Sequence, residues 1–285
     1  SGWMVEPGAR PGCRLGGVDG RRNSCVRERG DTSCMRGWGL ASAFRTLTIL
    51  TVPGKECARA ATTLYWFVPV GAVIGALLYG IGMAGSHYDF FLLTAVILVM
   101  ALAVVTRAFH LDGLADTVDG FGGGWTKERR LEIMRDSHIG AFGVIALVLV
   151  LLGKVAAISW IVSQGFLIPL FYVPLFSRFL VVGQTVCNRY ARSGEGTAAH
   201  LVREARLRHL AVSAAWVAIS FLLSGGTQWV VLSGMLGVGV LTTAFVALVS
   251  RRKIGGVTGD VLGATVELSE LVMFCSAAVL LAVSV

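Results

Sequence analysis

Residues 91–124, FLLTAVILVMALAVVTRAFHLDGLADTVDGFGGG, decide the fold class. An apolar run with the composition of a membrane-spanning helix passes without a break into a segment bearing Asp112, Asp116 and Asp119. Acids pressed against the end of such a run need water, a cation or a charged partner. Continued to Gly143, the polar stretch holds four aspartates, two histidines and a glycine run before the next apolar segment begins.

The rest of the chain reads the same way. It has 285 residues, 55% of them hydrophobic, with 36 glycines and a mean hydropathy of +0.72. That composition belongs to polytopic membrane proteins rather than soluble domains. The apolar runs predict an all-α helical bundle with about seven spans, at 62–85, 89–106, 139–163, 165–186, 210–225, 227–249 and 268–285. The run from Leu210 is short and the last contains Glu270, which leaves six spans plus an interfacial or re-entrant helix as the other reading.

Lysine and arginine orient the chain. Arg107, Lys127, Arg129, Arg130 and Arg135 share one connection; Arg189, Arg192, Arg203, Arg206 and Arg208 share another; Arg251, Arg252 and Lys253 a third. The intervening connections carry none, so the basic loops and the N-terminus are expected in the cytoplasm of a bacterial cell, below its inner membrane. The same asymmetry, with contact to anionic lipid, accounts for the net charge of +8 and gives no reason to invoke nucleic acid.

Residues 1–34 are rich in Arg and Gly, without periodicity, and are expected to be disordered and not a secretory signal peptide; 35–285 are expected to form one catalytic transmembrane domain. Trp38–Val52 is expected to lie as a helix on the inner leaflet. Cys13, Cys25 and Cys34 lack histidine partners at zinc spacing, and Cys57 and Cys187 fall on the reducing side, so neither zinc nor disulfide is expected. Small-xxx-small pairs, Gly71 with Gly75 and Ser233 with Gly237, permit close helix packing within the chain or in a homo-oligomer.

On a helix, Asp112, Asp116 and Asp119 fall at i, i+4 and i+7 and share one face. Three like charges on one face repel; a hard divalent cation such as Mg²⁺ resolves that, and a solvated acidic turn is the plainer alternative. His110 crowds the same site, and Gly122, Gly123 and Gly124 either let backbone amides approach a phosphate or form a hinge. A second constellation, GGVTGDVLGATVELSELVMF, carries Asp260, Glu267 and Glu270 on one helical face. Lys154 and Arg178 lie inside predicted spans, where they are either ion-paired or face a polar cavity that holds an anion. Arg189, Tyr190 and Arg192 offer phosphate and sugar contacts on the next loop.

FHLDGLADTVDGFGGG followed by ERRLEIMRDSHIGAFG resembles the signature of the adenosylcobinamide-GDP ribazoletransferases, the cobalamin synthase family of membrane enzymes. FRTLTILTVPG, YWFVPVGAVIGALLYG, FSR, RYARSGEGTA and GGVTGDVLGATVELSELV match it in order, covering about residues 36–280. Val118 stands where a small residue is expected and His138 where Arg is expected. The resemblance implies Mg²⁺-dependent joining of adenosylcobinamide-GDP to α-ribazole or its 5′-phosphate with release of GMP. The residues fit such a reaction: Asp112, Asp116 and Asp119 are expected to hold Mg²⁺, Asp136, Asp260 and Glu267 to complete the metal shell or orient the nucleotide, and Asp119, Asp116 or His110 to accept the proton. Candidate substrate contacts are Arg107, Gly122, Gly123, Arg129, Arg135, Lys154, Arg178, Arg189, Arg192 and Glu270. An ion-coupled transporter would concentrate its acids at the midplane rather than at loop–helix junctions. A CDP-alcohol phosphotransferase would carry an Ala-Arg pair after its first Asp-Gly, and this chain does not.

Overall fold

The computed structural model of the chain describes residues 39–53, 59–194, 197–224 and 228–284. The expectations for residues 1–34, including Cys13, Cys25 and Cys34, and for Cys57 lie outside them. Among the described residues there are eleven α-helices, one 3-10 segment and no strand. The helices are α1 (Gly39–Leu47), α2 (Phe67–Ser86), α3 (Phe91–Val105), α4 (Phe109–Gly123), α5 (Lys127–Ile133), α6 (Ala141–Ser163), α7 (Ile168–Cys187), α8 (Thr197–Glu204), α9 (Leu207–Leu223), α10 (Trp229–Ile254) and α11 (Gly259–Ser284). The 3-10 segment Ala60–Trp66 leads into α2.

Among the described residues, five helical spans are long and apolar enough to cross a membrane, and seven result if each of two bent pairs, α3–α4 and α8–α9, counts as one. The chain is therefore an integral membrane helical protein. Three boundaries differ from the sequence reading. The inner-leaflet helix stops at Leu47, α10 runs through Arg251, Arg252 and Lys253 to Ile254, and α11 begins at Gly259 rather than near 268. The last shift has a local cause: Thr258 caps α11 by accepting the Val261 N–H, 3.3 Å, with Asp260 in the first turn.

The bend between α3 and α4 is 87° and rests on two consecutive left-handed residues, Arg107 (φ 55°) and Ala108 (φ 52°). Neither is glycine, and each costs on the order of 1–2 kcal/mol that surrounding packing offsets. Ala108 N–H reaches back to the Ala103 carbonyl, 2.7 Å, closing the end of α3, and the Ile49 amide ties the chain after α1 to Val105, 2.7 Å.

Helix α7 is the most deeply buried of the long helices and packs against α2, α9, α10 and α11. Between apolar helices in lipid, close approach of backbones replaces the water-driven term. Gly71 and Gly75 provide it within the chain: a Cβ on either would meet the α7 backbone at Pro174 (2.6 Å) or Phe171 (2.1 Å). Gly237 meets nothing within 4 Å and leaves its side of α10 open.

Candidate active site

Helix α4 crosses α11 at glycines. A Cβ on Gly113 would lie 2.8 Å from the Asp260 carbonyl oxygen, and one on Gly263 would lie 3.2 Å from His110 Cα. Without side chains between them the two backbones touch, and the residues flanking the contact are the acids. Asp112 and Asp116, one turn apart on α4, are brought within electrostatic reach of Asp260, although nearly 150 residues separate them in sequence. Asp112 is exposed, and Asp116 and Asp260 are half-buried.

A short pairing of loops completes this end. Ala191 N–H donates to the Val257 carbonyl (2.9 Å) and Val257 N–H to the Arg189 carbonyl (2.8 Å), forming a parallel bridge between Tyr190 and Val257. Gly256 is required there, because a Cβ would stand 2.2 Å from the Arg189 oxygen. The pairing delivers Arg192, whose guanidinium donates to Asp260 (2.8 Å) and to the Met134 carbonyl (3.2 Å). Arg130 donates to the carbonyls of Gly124 and Lys253, both 2.9 Å, and Lys253 donates to Phe121 at the C-terminal end of α4, 2.8 Å. The three basic connections thus join one another around the carboxylates. Three acids still face one guanidinium, so the cluster retains negative charge.

The six expected metal ligands divide into separate groups. Asp112, Asp116 and Asp260 gather as described. Asp119 lies about one turn further along α4 and is buried; its two oxygens accept the N–H groups of Gly140 (2.8 Å) and Gly143 (2.9 Å), capping α6 from outside. Both glycines are needed, since a Cβ on either would sit 2.4 Å from the carboxylate. Asp136 is exposed and turned to His138, whose hydrogen bonds hold its carboxyl below the ordinary carboxylate range.

Glu267 shares a face of α11 with Asp260 but is two turns, roughly 10 Å, deeper. There it meets Lys154 of α6 at 2.7 Å. Lys154 also donates to Glu270 (2.8 Å), and Arg178 of α7 pairs with Glu270 at 2.6 Å, assisted by Ser177. Lys154 and Arg178 are each 1% exposed, and two cations balance two anions. Of the two readings for the buried cations, an ion pair or an anion-holding cavity, the structure shows ion pairs for both Lys154 and Arg178, so that each buried charge has a compensating partner.

The other candidates spread along the rim. Arg107 lines an open cavity with Thr46, Thr48, Thr106, Ala108, Phe109 and Asp112. Arg135 and Arg189 are exposed, and Arg129 is exposed in a pair with Glu132 at 2.8 Å. Gly122 and Gly123 end α4 and pack towards Phe142 and Ile133, while Gly124 packs against Arg130. Sequence reading passed over Arg130, Gly113, Gly140, Gly143, Gly256 and Gly263, which position the site without chemistry of their own.

A hard cation suits the all-oxygen cluster in kind. Among the described residues no three carboxylate, imidazole or thiolate groups converge tightly enough to ligate one ion by themselves. That is compatible with Mg²⁺, which keeps several waters and takes one or two carboxylates together with substrate phosphate oxygens.

The profile of the cobalamin-5-phosphate synthase family matches residues 39–278. A protein named adenosylcobinamide-GDP ribazoletransferase from Prosthecochloris aestuarii is 40% identical over 246 residues, covering 85% of this chain and 98% of the relative. Proteins of the same name from Chlorobium chlorochromatii and Syntrophobacter fumaroxidans are 41% and 36% identical, each covering 85% of this chain and 96% or 97% of the relative. No solved structure matches the chain. With the match running from α1 into α11 and including every carboxylate described above, the chain belongs to the cobalamin-5-phosphate synthase family.

Proposed function

We propose that this chain is an adenosylcobinamide-GDP ribazoletransferase, joining adenosylcobinamide-GDP to α-ribazole or its 5′-phosphate and releasing GMP. The observation that carries the reading beyond family membership is the meeting of Asp112 and Asp116 with Asp260 beside Arg192 at the α4–α11 crossing. Displacing GMP from a pyrophosphate requires charge neutralisation on the phosphate oxygens and an in-line alcohol. In the reaction the ribazole hydroxyl oxygen forms a bond to the cobinamide-side phosphorus, the bond to the bridging oxygen breaks, and the hydroxyl proton passes to a base.

Asp112 and Asp260 would hold Mg²⁺ with substrate phosphate oxygens. Bound there, the ion would neutralise charge developing on the leaving GMP. Asp116, between them, would accept the hydroxyl proton. Asp119, with both oxygens engaged by backbone N–H groups, would hold α4 against α6 rather than move a proton. Arg107, beside Asp112 in the open cavity, and Arg192 would contact phosphate. The acids and basic connections would face the cytoplasm at the inner leaflet, where a large amphipathic cobinamide can reach both lipid and water.

The test is GMP release by detergent-purified protein given adenosylcobinamide-GDP, α-ribazole and Mg²⁺. The expected result is release that needs ribazole, stops with EDTA and returns with excess Mg²⁺. Release without ribazole, or none from folded protein, would sink the proposal.

A further inference from the structure

A second cavity lies away from the carboxylates, where the 3-10 segment entering α2 meets the elbow between α8 and α9. The chain turns by 95° there, through Ala205 and an extended Arg206 (φ −142°, ψ 159°). The cavity has a volume of about 300 Å³, at the lower edge of small-molecule sites, and Arg59, Thr62, Glu204, Arg206, Arg208 and His209 line it. It shares no residue with the open cavity beside Asp112.

Its charge is one-sided. His209 is 1% exposed, and its Nδ1 accepts the Arg206 amide N–H at 2.9 Å, so the ring is neutral with its proton on Nε2; Tyr65 packs against it at 4.5 Å. That leaves three guanidinium groups against the single carboxylate of Glu204. Arg206 is held at the elbow by donating through Nη1 to the carbonyls of Arg203 (2.9 Å) and Ala205 (2.8 Å). Arg208 is exposed and makes no hydrogen bond or ion pair among the described residues. Arginines lining one cavity with positive charge in surplus suit a phosphate, whose oxygens accept paired N–H donors.

The helix that follows says which kind of phosphate. His209, Ser213 and Val217 form the buried face of α9. On another face Arg208, Val212, Trp216, Ile219 and Leu223 recur every three or four residues within roughly 80° of arc, and all five are exposed. An apolar stripe of this kind on a membrane helix lies against acyl chains, and a guanidinium at its head sits at the level of the headgroups. A soluble phosphate would leave the stripe unused.

We infer that the elbow binds one anionic phospholipid, its phosphodiester held by Arg59, Arg206 and Arg208 and its acyl chains lying on the face of α9 that runs from Val212 to Leu223. The lipid joins two segments remote in sequence, the approach to α2 and the start of α9, and so fastens α9 to the bundle. This site is separate from the carboxylate cluster and does not rest on the transferase reading.

The test uses the purified full chain in neutral detergent, titrated with dioctanoyl phosphatidylglycerol, dioctanoyl phosphatidylcholine or glycerol 3-phosphate while the thermal unfolding midpoint is followed. A ligand bound to the folded chain raises the midpoint by mass action. Phosphatidylglycerol is expected to raise it with saturation, and the other two to need at least tenfold higher concentrations for the same shift. Arg208→Gln is expected to raise the half-effect concentration of phosphatidylglycerol about fivefold, as loss of one basic contact to an anionic headgroup implies. Arg252→Gln, the same charge change on an exposed arginine of α10, is expected to leave it unchanged. Equal responses to the two lipids, no weakening by Arg208→Gln, or equal weakening by both variants would overturn the site, since lipid would then act as solvent or through diffuse surface charge. A full response to glycerol 3-phosphate would overturn the lipid assignment in favour of a soluble phosphate. The comparisons among ligands are made on the wild-type chain, so they stand whether or not a variant folds.

Discussion

Two groups of acids on helix α11 and its neighbours have opposite fates. Glu267 and Glu270 are sealed between α6 and α7, each bonded to Lys154 or Arg178, with charges that sum to zero. Asp260, nearer the start of the same helix, joins Asp112 and Asp116 at the rim, where three carboxylates share Arg192 and water has access. Buried charge in an apolar bundle is tolerated when it is internally compensated. Charge left uncompensated at a rim is available to a cation and an anionic substrate. On the proposed function, the first group holds the helices in register and the second carries the chemistry.

Removing one partner from the sealed group should have the largest effect. Lys154→Met strands Glu267 and one oxygen of Glu270, and is expected to cost about 3–5 kcal/mol. Thermal unfolding in detergent would show it; an unchanged midpoint would mean the sealed group is not the structural one. In contrast, Asp116→Asn relieves repulsion between like charges and is expected to leave the unfolding midpoint equal or higher while GMP release falls by about 10²–10⁴-fold. Near wild-type release from that variant would erase the distinction between the groups.

Asp119 sits between the two cases, an acid of the α4 face spent on backbone amides. Gly143→Ala forces a Cβ to within 2.4 Å of its carboxylate and is expected to cost about 1–3 kcal/mol, lowering turnover in step with stability. Turnover lost with stability intact would instead return Asp119 to the chemistry. At the small end, Arg129→Ala removes an exposed pair and is expected to change stability by no more than about 0.5 kcal/mol. Its GMP release is expected to stay close to wild type, and a large loss would bring Arg129 into the phosphate site.

Much of this was legible in the chain. The i, i+4, i+7 spacing of Asp112, Asp116 and Asp119 placed them on one helical face, and α4 is helical over all three. The apolar runs placed α2, α6 and α7 to within a few residues, because a span long enough for the hydrocarbon core leaves little freedom. The start of α11 was also written locally, as Thr258 followed by Gly259 and Asp260, but reading the acids as the edge of a loop hid it. The GGG run, read as a phosphate loop or a hinge, lies beside Phe142, Ile133 and Arg130. Glycine reports that something comes close without saying what.

By itself, then, the sequence determined an all-helical membrane protein, its family, and the facial spacing of its acids, because hydrophobic length and helical periodicity are properties of contiguous residues. Only the tertiary structure decided which acid meets which cation. Asp260 and Glu267 look alike on a helical projection, and they part company because two turns of helix carry one to Arg192 at the rim and the other to Lys154 in the interior. That difference depends on where α6 and the loop after α7 pass α11, and such distances between remote segments are set by packing.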